Sequence, residues 1–310
     1  MVPWMGGRGQ SFDVFAATQD GDKFGAPVAV AATPANEWDP AIAADRKGNV
    51  AIAWDTYEKG DHDIYLALRG ADGKFGKAMP VVATLNFEVR PSLAYDGEGS
   101  LWIVWEQSGE NWAKDHGALK KFGIPIFTGG RTLGSKVLRN AVEWLEPPEI
   151  LAAQPLPARK GKGKGKGAQS SGGGTRAARQ QMAPCYPRLA TDAQGRVWLA
   201  FRGRPPGGEW RVGVGPVFCE FVTRMDGEAW LPPIWVPRSD NILDNRPAWA
   251  ALPNGDMLLA YSGDGRSAVH PPYGGGRGRA GAKKAVAAGV VPDPNNTLFA
   301  ATISRAEAVA

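Results

Sequence analysis

Only two cysteines occur in the 310 residues, Cys185 and Cys219, and they show no Cys-x-x-Cys spacing. That excludes zinc ribbons, thioredoxin-type redox motifs and disulfide frameworks, and two small buried thiols are expected instead. Histidine is as scarce: His62, His116 and His270 lie far apart, so no histidine-rich metal site and no cofactor is expected. Asp61-His62-Asp63 offers the oxygen ligands that calcium takes but lacks the spacing of an EF-hand loop. No run approaches the roughly 18 apolar residues of a membrane span. The first residues show no apolar signal-peptide core, and helical periodicity is weak throughout.

Tryptophan, in contrast, is abundant, with 12 residues against 11 Phe and 6 Tyr. Several sit in an internal repeat. Pro40–Trp54, Pro91–Trp105, Pro187–Phe201 and Pro247–Tyr261 align without a gap. Each reads Pro, any residue, a large apolar residue, Ala, then a turn with Gly in all four and Asp in three, then an apolar run closed by an aromatic. That is a β-hairpin whose Gly accepts positive φ, with Pro placed where the first strand begins. A second hairpin follows, opened by Asp13, Asp63 or Glu220 and turning on Asp-Gly; Val137–Ile150 and the segment from Thr297 fit the same slot.

Four strands per unit, repeated at the 51-residue spacing of Pro40 and Pro91, predict an all-β protein, a β-propeller of four-stranded blades. About four to five blades are present, as part of a six-bladed or similar ring. Trp54, Trp102, Trp105 and Trp198 are expected in the core between sheets. Because residues 12–30 read as an outer hairpin without its inner partner, the sequence is expected to be a piece of a longer protein. It forms one incomplete domain, residues 1–310, with flexible insertions at 152–183 and 266–292.

The net charge of +5 is unevenly spread. Residues 150–184 hold seven bases and no acid, in a Gly/Lys/Pro/Ser tract, and Arg277, Arg279, Lys283 and Lys284 add four more, which leaves 25 bases against 31 acids elsewhere. These tracts read as solvated linkers. They lack interleaved aromatics for stacking on bases, so nucleic acid is not an expected partner.

Strand connectivity gathers the long segments 107–131, 152–186, 203–217 and 262–296 at one end of the blades, where binding is usually placed. The residues just before each repeat proline reach the same end. Trp38, Asp39, Glu88, Arg90, Tyr186 and Arg246 are therefore candidate ligand-binding residues, together with the polar-aromatic cluster Trp112, Asp115 and His116. Charged groups beside aromatics suit a glycan or a small polar ligand.

The Pro-x-Ile/Leu-Ala-x-Asp-x-x-Gly-x-Val/Leu-x-Ile/Leu-x-Trp hairpins, with Asp63-Ile-Tyr and Asp72-Gly-Lys-Phe-Gly, resemble sialidase-like bacterial β-propellers. Asn111-Trp-Ala-Lys-Asp115 and Arg246-Pro247 are similar to multidomain proteins in which such a propeller precedes a metal-dependent hydrolase domain of uncharacterised function. The resemblance implies a downstream hydrolase domain in the same polypeptide and an extracellular or periplasmic location. It carries no catalytic residue over, because that domain lies outside these residues. Sialidases need three arginines, a Tyr/Glu nucleophile pair and an acid/base Asp. Here Arg90 and Arg246 would supply two clamps, Arg188 is out of register, and the turns at Asp45, Asp96 and Asp192 lack the Ser of the Ser-x-Asp-x-Gly-x-x-Trp box. The reading is a non-catalytic scaffold that binds a ligand or carbohydrate as a module of a larger bacterial hydrolase. The alternatives are a sialidase-like glycoside hydrolase and a protein-protein interaction platform.

Overall fold

The structure is a computed structural model. It describes residues 1–110, 130–152, 182–204, 211–212, 215–216, 218–236, 239, 246–263 and 297–304. The chain is an all-β protein of β-propeller blades, and two compact units divide it, Met1–Pro147 with Cys185–Leu199 and Pro148–Pro184 with Ala200–Ala310. Among the described residues no helix is long and apolar enough to cross a membrane.

The first unit opens with β1 (Val2–Arg8), β2 (Ser11–Ala17), a small hairpin of β3 (Gln19–Asp20) and β4 (Lys23–Phe24), and β5 (Val28–Ala31). β1, β2 and β5 make a three-stranded sheet in that order. A four-stranded sheet follows, β6 (Glu37–Ala44), β7 (Val50–Thr56), β8 (Asp63–Leu68) and β9 (Met79–Val82), and then a second, β10 (Phe87–Tyr95), β11 (Leu101–Ser108), β12 (Arg131–Arg139) and β13 (Glu143–Leu145). The Asp192–Arg196 turn joins β14 (Cys185–Thr191) to β15 (Val197–Gly203), the strand within which the units divide. The second unit holds the short pair β16 (Arg211–Val212) and β17 (Gly215–Pro216), then β18 (Cys219–Asp226), which pairs with β19 (Ala229–Trp230) and β20 (Ile234–Trp235). Its last sheet is β21 (Ala248–Ala251), β22 (Met257–Gly263) and β23 (Thr297–Ile303). Cys185 and Cys219 are free and buried.

Packing explains the repeat columns. β7 is buried on both sides along its whole length, which is why it reads as a near-continuous apolar run. Its Ile52 and Trp54 pack on Val14 and Ala16 of the first sheet. Its Ala51 and Ala53, with Ile64 and Leu66 of β8, pack on Leu101, Ile103 and Trp105 of the third sheet. Each fully buried large aliphatic side chain stabilises the stack by about 1.5–3 kcal/mol. The aromatic that closes the repeat meets an aromatic across the strand, Trp54 opposite Tyr65 and Tyr261 opposite Phe299. Trp105 faces Gly134 instead, and its ring fills the place of the missing side chain: a Cβ on Gly134 would sit 2.3 Å from it.

The four turns are alike. Gly48, Gly99, Gly195 and Gly255 hold φ of 86, 88, 83 and 90°. In three, the turn Asp accepts hydrogen bonds from the backbone two and four residues on. Asp96 and Asp192 also accept from the indole N–H of Trp102 and Trp198, each at 2.8 Å, whereas Asp45, followed by Ala51 in that column, accepts from the Asn49 amide at 2.7 Å.

Two expectations need correction. Pro40, Pro91 and Pro187 lie inside β6, β10 and β14 rather than at their first positions, because a register shift at Trp38/Ala41 and at Val89/Ser92 lets the ladder resume beyond the proline. And residues 12–30 are not an isolated outer hairpin, since β1 pairs with β2 over its full length. The pairing Gly6 with Asp13 corresponds to Thr56 with Asp63, which puts Trp4 in the column of Trp54.

Candidate functional site

Asp39, Arg90 and Tyr186, each immediately before a repeat proline, all adopt the left-handed conformation, with φ of 45, 56 and 53°. Non-glycine residues rarely do so, and such strain gathers at functional positions. A buried carboxylate holds two of them. Asp55, the residue after Trp54, accepts from the Arg90 backbone N–H at 3.3 Å, and Glu106, the residue after Trp105, accepts from that of Tyr186 at 3.4 Å. In both cases the end of one blade's second strand grips the pre-proline residue of the next. Arg202 occupies this column in the second unit; fully buried, it pairs with buried Glu220 at 3.4 Å and lies over Phe218.

The three pre-proline residues bring their side chains together in the first unit. The Arg90 guanidinium stands 3.2 Å from Glu106, 3.6 Å from Asp39, and 4.7 Å from the centre of the Tyr186 ring. Arg131 approaches Glu106 from β12 at 3.3 Å. Burial works against the Arg90 charge, but Glu106, Tyr186, Asp39 and Asp55 outweigh it and hold the pKa above its usual value. Arg90, Asp39 and Arg131 remain about a quarter exposed, so the cluster reaches solvent.

Asp55 links this cluster to an aromatic one. Its second oxygen is 3.0 Å from Nδ1 of His62, and burial raises its pKa although the His62 contact opposes this. Trp38, Tyr57 and Phe87 surround the His62 ring at 5.0–5.1 Å between centres. Tyr57 is 39% exposed. The loop carrying Tyr57 and His62 is tied to the pre-proline segments on both sides, Tyr57 N–H to Asn36 and Glu88 N–H to the His62 carbonyl. That places the β7–β8 loop and the bulges at the same end of the blades, as connectivity requires.

Other predicted residues fall elsewhere. Glu88 is fully buried and accepts from the Thr84 hydroxyl, and Glu37 does the same with Thr33. Burial raises both carboxyls, reinforced by Asp63 and Asp61 beside Glu88 and by Asp13 and Glu58 beside Glu37, against the threonine hydrogen bonds. Arg246 is exposed in the second unit. Trp112, Asp115 and His116 lie outside the described residues, as do nearly all of 152–183 and all of 266–292. Among the described residues no group of three His, Cys, Asp or Glu is placed to hold a metal ion. Sequence reasoning missed His62, Tyr57, Glu106 and Asp55. The signal available was the acid directly after the closing tryptophan, which appears twice in the same column.

No family model matches the chain, and no curated protein matches it. Among solved structures, a protein of unknown function from Dyadobacter fermentans is similar in fold, with TM-score 0.50 and 10% identity over 82% of this chain. This chain spans 65% of that protein's length. An ulvan lyase of polysaccharide lyase family PL25 matches at TM-score 0.48, with 10% identity, 82% of this chain and 56% of its own. An exo-1,5-α-L-arabinanase from a bovine ruminal metagenomic library matches at 0.44, with 13% identity, covering 97% and 92% of the two chains. The likeness to the Dyadobacter protein is one of fold alone, and function must be argued from the site.

Proposed function

We propose that this propeller binds a carbohydrate or similar polar ligand at the blade end formed by Trp38, Tyr57, His62 and Phe87 together with Asp39 and Arg90, and does not itself turn it over. The observation that carries the reading is the continuity of an accessible aromatic group with a solvated charged one through a single buried residue, Asp55. A sugar ring has an apolar face that stacks on such side chains and hydroxyls that exchange hydrogen bonds with carboxylate and guanidinium groups. The carboxylates best placed for acid-base chemistry are already committed: Asp55 to the Arg90 N–H and the His62 ring, Glu106 to the Tyr186 N–H and two arginines, and Glu37 and Glu88 to the Thr33 and Thr84 hydroxyls. Arg90 is held by Glu106 and Asp39, which weighs against its use as a clamp on a substrate carboxylate, as a sialidase would need.

Two assays on the same preparation test this. The expected result is retention on immobilised glycans, weakened by Arg90→Ala, with no turnover of fluorogenic glycosides. Turnover that disappears in Asp39→Asn or Glu88→Gln would establish the hydrolase instead. Absence of both retention and turnover would favour a protein-binding platform.

A further inference from the structure

The two seams between the first, second and third sheets of the first unit each bury a pair of acids in the same place. Asp13 and Asp63 share a column, because the pairing of Gly6 with Asp13 corresponds to that of Thr56 with Asp63. Glu37 and Glu88 share another, three residues before Pro40 and Pro91. Hydrogen bonds set the two columns side by side. The Phe12 N–H donates to Asn36 Oδ1 at 3.0 Å, one residue from Asp13 and from Glu37, and the Glu88 N–H donates to the His62 carbonyl at 3.0 Å, one residue from Asp63. Asp13, Glu37 and Glu88 are 0% exposed and Asp63 is 1% exposed. In the next blade both acids are absent together: Thr132 stands in the column of Asp63, and Pro184 stands three residues before Pro187.

Among the described residues neither glutamate forms an ion pair. The charges that act on Glu37 are those of Asp13 and Glu58, and on Glu88 those of Asp63 and Asp61, all of them negative. His62 gives its Nδ1 to Asp55. Glu37 Oε2 has no hydrogen-bond partner at all. The aspartates are the better supported anions, since Asp13 accepts from the Ser11 hydroxyl at 3.3 Å and Lys59 stands 3.5 Å from Asp63. Two acids buried at one seam resist being ionised together, so a proton falls to the glutamate. Two carboxyls also offer too few oxygens to hold a calcium ion in its place.

We propose that each seam keeps one proton at neutral pH, carried by Glu37 in the first and by Glu88 in the second, and that its loss to solvent in alkali loosens the sheets at the end that holds Asp39 and Arg90. Those two residues lie two positions beyond the glutamates, which makes the pair of seams a pH-sensitive latch on the backbone of the site. The latch is a property of the sheets and needs no ligand.

Carbon NMR of the full chain, isotope-labelled at its glutamate side-chain carboxyls and titrated from about pH 4 to about pH 9, tests the assignment. The signals missing from Glu37→Gln and from Glu88→Gln are expected to titrate well above the ordinary 4.5 in the parent. Asp13→Asn and Asp63→Asn each remove one negative neighbour, and each is expected to move the titration of its own glutamate downward and leave the other in place. Where a glutamine variant does not fold, the asparagine variant identifies the same signal by that movement. Amide hydrogen exchange reads the latch itself. Around residues 33–39 and 84–90 the parent is expected to exchange severalfold faster than the double glutamine variant at about pH 9, and at the same rate as the variant at about pH 6. Glutamate signals that titrate at the ordinary value overturn the proposal, as do signals that the asparagine variants leave unmoved or an exchange difference that does not change with pH.

Discussion

A left-handed backbone costs about 1–2 kcal/mol at a non-glycine residue. A hydrogen bond to a charged acceptor is worth about 1.5–3 kcal/mol, enough to hold it there. The Asp55 to Arg90 and Glu106 to Tyr186 bonds therefore have the size required to fix the site's backbone, and Glu106 also neutralises two partly exposed arginines. Glu106→Gln is expected to lower stability by about 2–3 kcal/mol, since the guanidiniums can still turn to water and soften the loss. Urea denaturation measures this, and a change below about 0.5 kcal/mol would rule out the latch. Glycine gives a second test at this scale. Gly48 and Gly195 share a turn conformation, but a Cβ on Gly48 meets open space and one on Gly195 would lie 2.4 Å from the Gly97 Cα. Both alanine variants carry the positive-φ strain, about 1–2 kcal/mol, and only Gly195→Ala adds a backbone clash. Its melting temperature should fall well below that of Gly48→Ala; equal losses would mean the turns do not press on each other.

Elements were legible wherever a column recurred. The hairpins at Pro40, Pro91 and Pro187 follow from period-two alternation around a glycine turn, and the buried Trp54, Trp105 and Trp198 follow with them. Trp102, read as core by its column, is only partly buried and is held instead by Asp96. β1 was illegible because Val2-Pro-Trp4 is a single fragment of the repeat with two following glycines, too short to show a period. The bulges escaped for a different reason: a residue before proline ordinarily avoids the α regions, so nothing local announces positive φ at Asp39, Arg90 and Tyr186. At Arg90 and Tyr186 it is held by acceptors on neighbouring sheets, tens of residues away. Gly134 was equally silent, being explained only by the Trp105 ring that covers it. Gly134→Ala should cost about 1–3 kcal/mol through forced movement of that ring, visible as a lower urea midpoint and a shifted tryptophan emission. An unchanged midpoint would show that the site yields freely.

At the scale of the whole molecule, two sets of acids among the described residues are shifted in opposite directions. Glu37, Glu88, Asp55 and Asp63 are raised, chiefly by burial. In Asp45 and Asp192 burial is outweighed by hydrogen bonds, from Asn49 and Lys47 in the first and from Trp198 and Arg196 in the second, and both are lowered. A raised carboxyl contributes stability that is full below its ordinary value, 4.5 for Glu37 and Glu88, and is lost as pH climbs through the native one. A lowered one contributes stability above 3.8 that is lost as pH falls. The Glu37→Gln/Glu88→Gln double variant should therefore gain on the parent as pH rises from about 4 to about 8. A constant difference in urea midpoint across that range would contradict this. The basic tracts belong to this scale too: with 25 bases against 31 acids outside them, deletion of residues 158–180 should leave the melting temperature in place and move the isoelectric point down from 9.2.

Ligand binding at the Tyr57 end of the blades is tested by the affinity of wild type and Tyr57→Ala for the same immobilised glycan, recorded beside their melting temperatures. Tyr57 is exposed and sits at the edge of the aromatic group. Stacking of about 1–2 kcal/mol lost from it corresponds to a five- to thirty-fold weaker affinity at an unchanged melting temperature. Equal affinity in the two proteins, or a loss that only follows a fall in stability, would contradict the account.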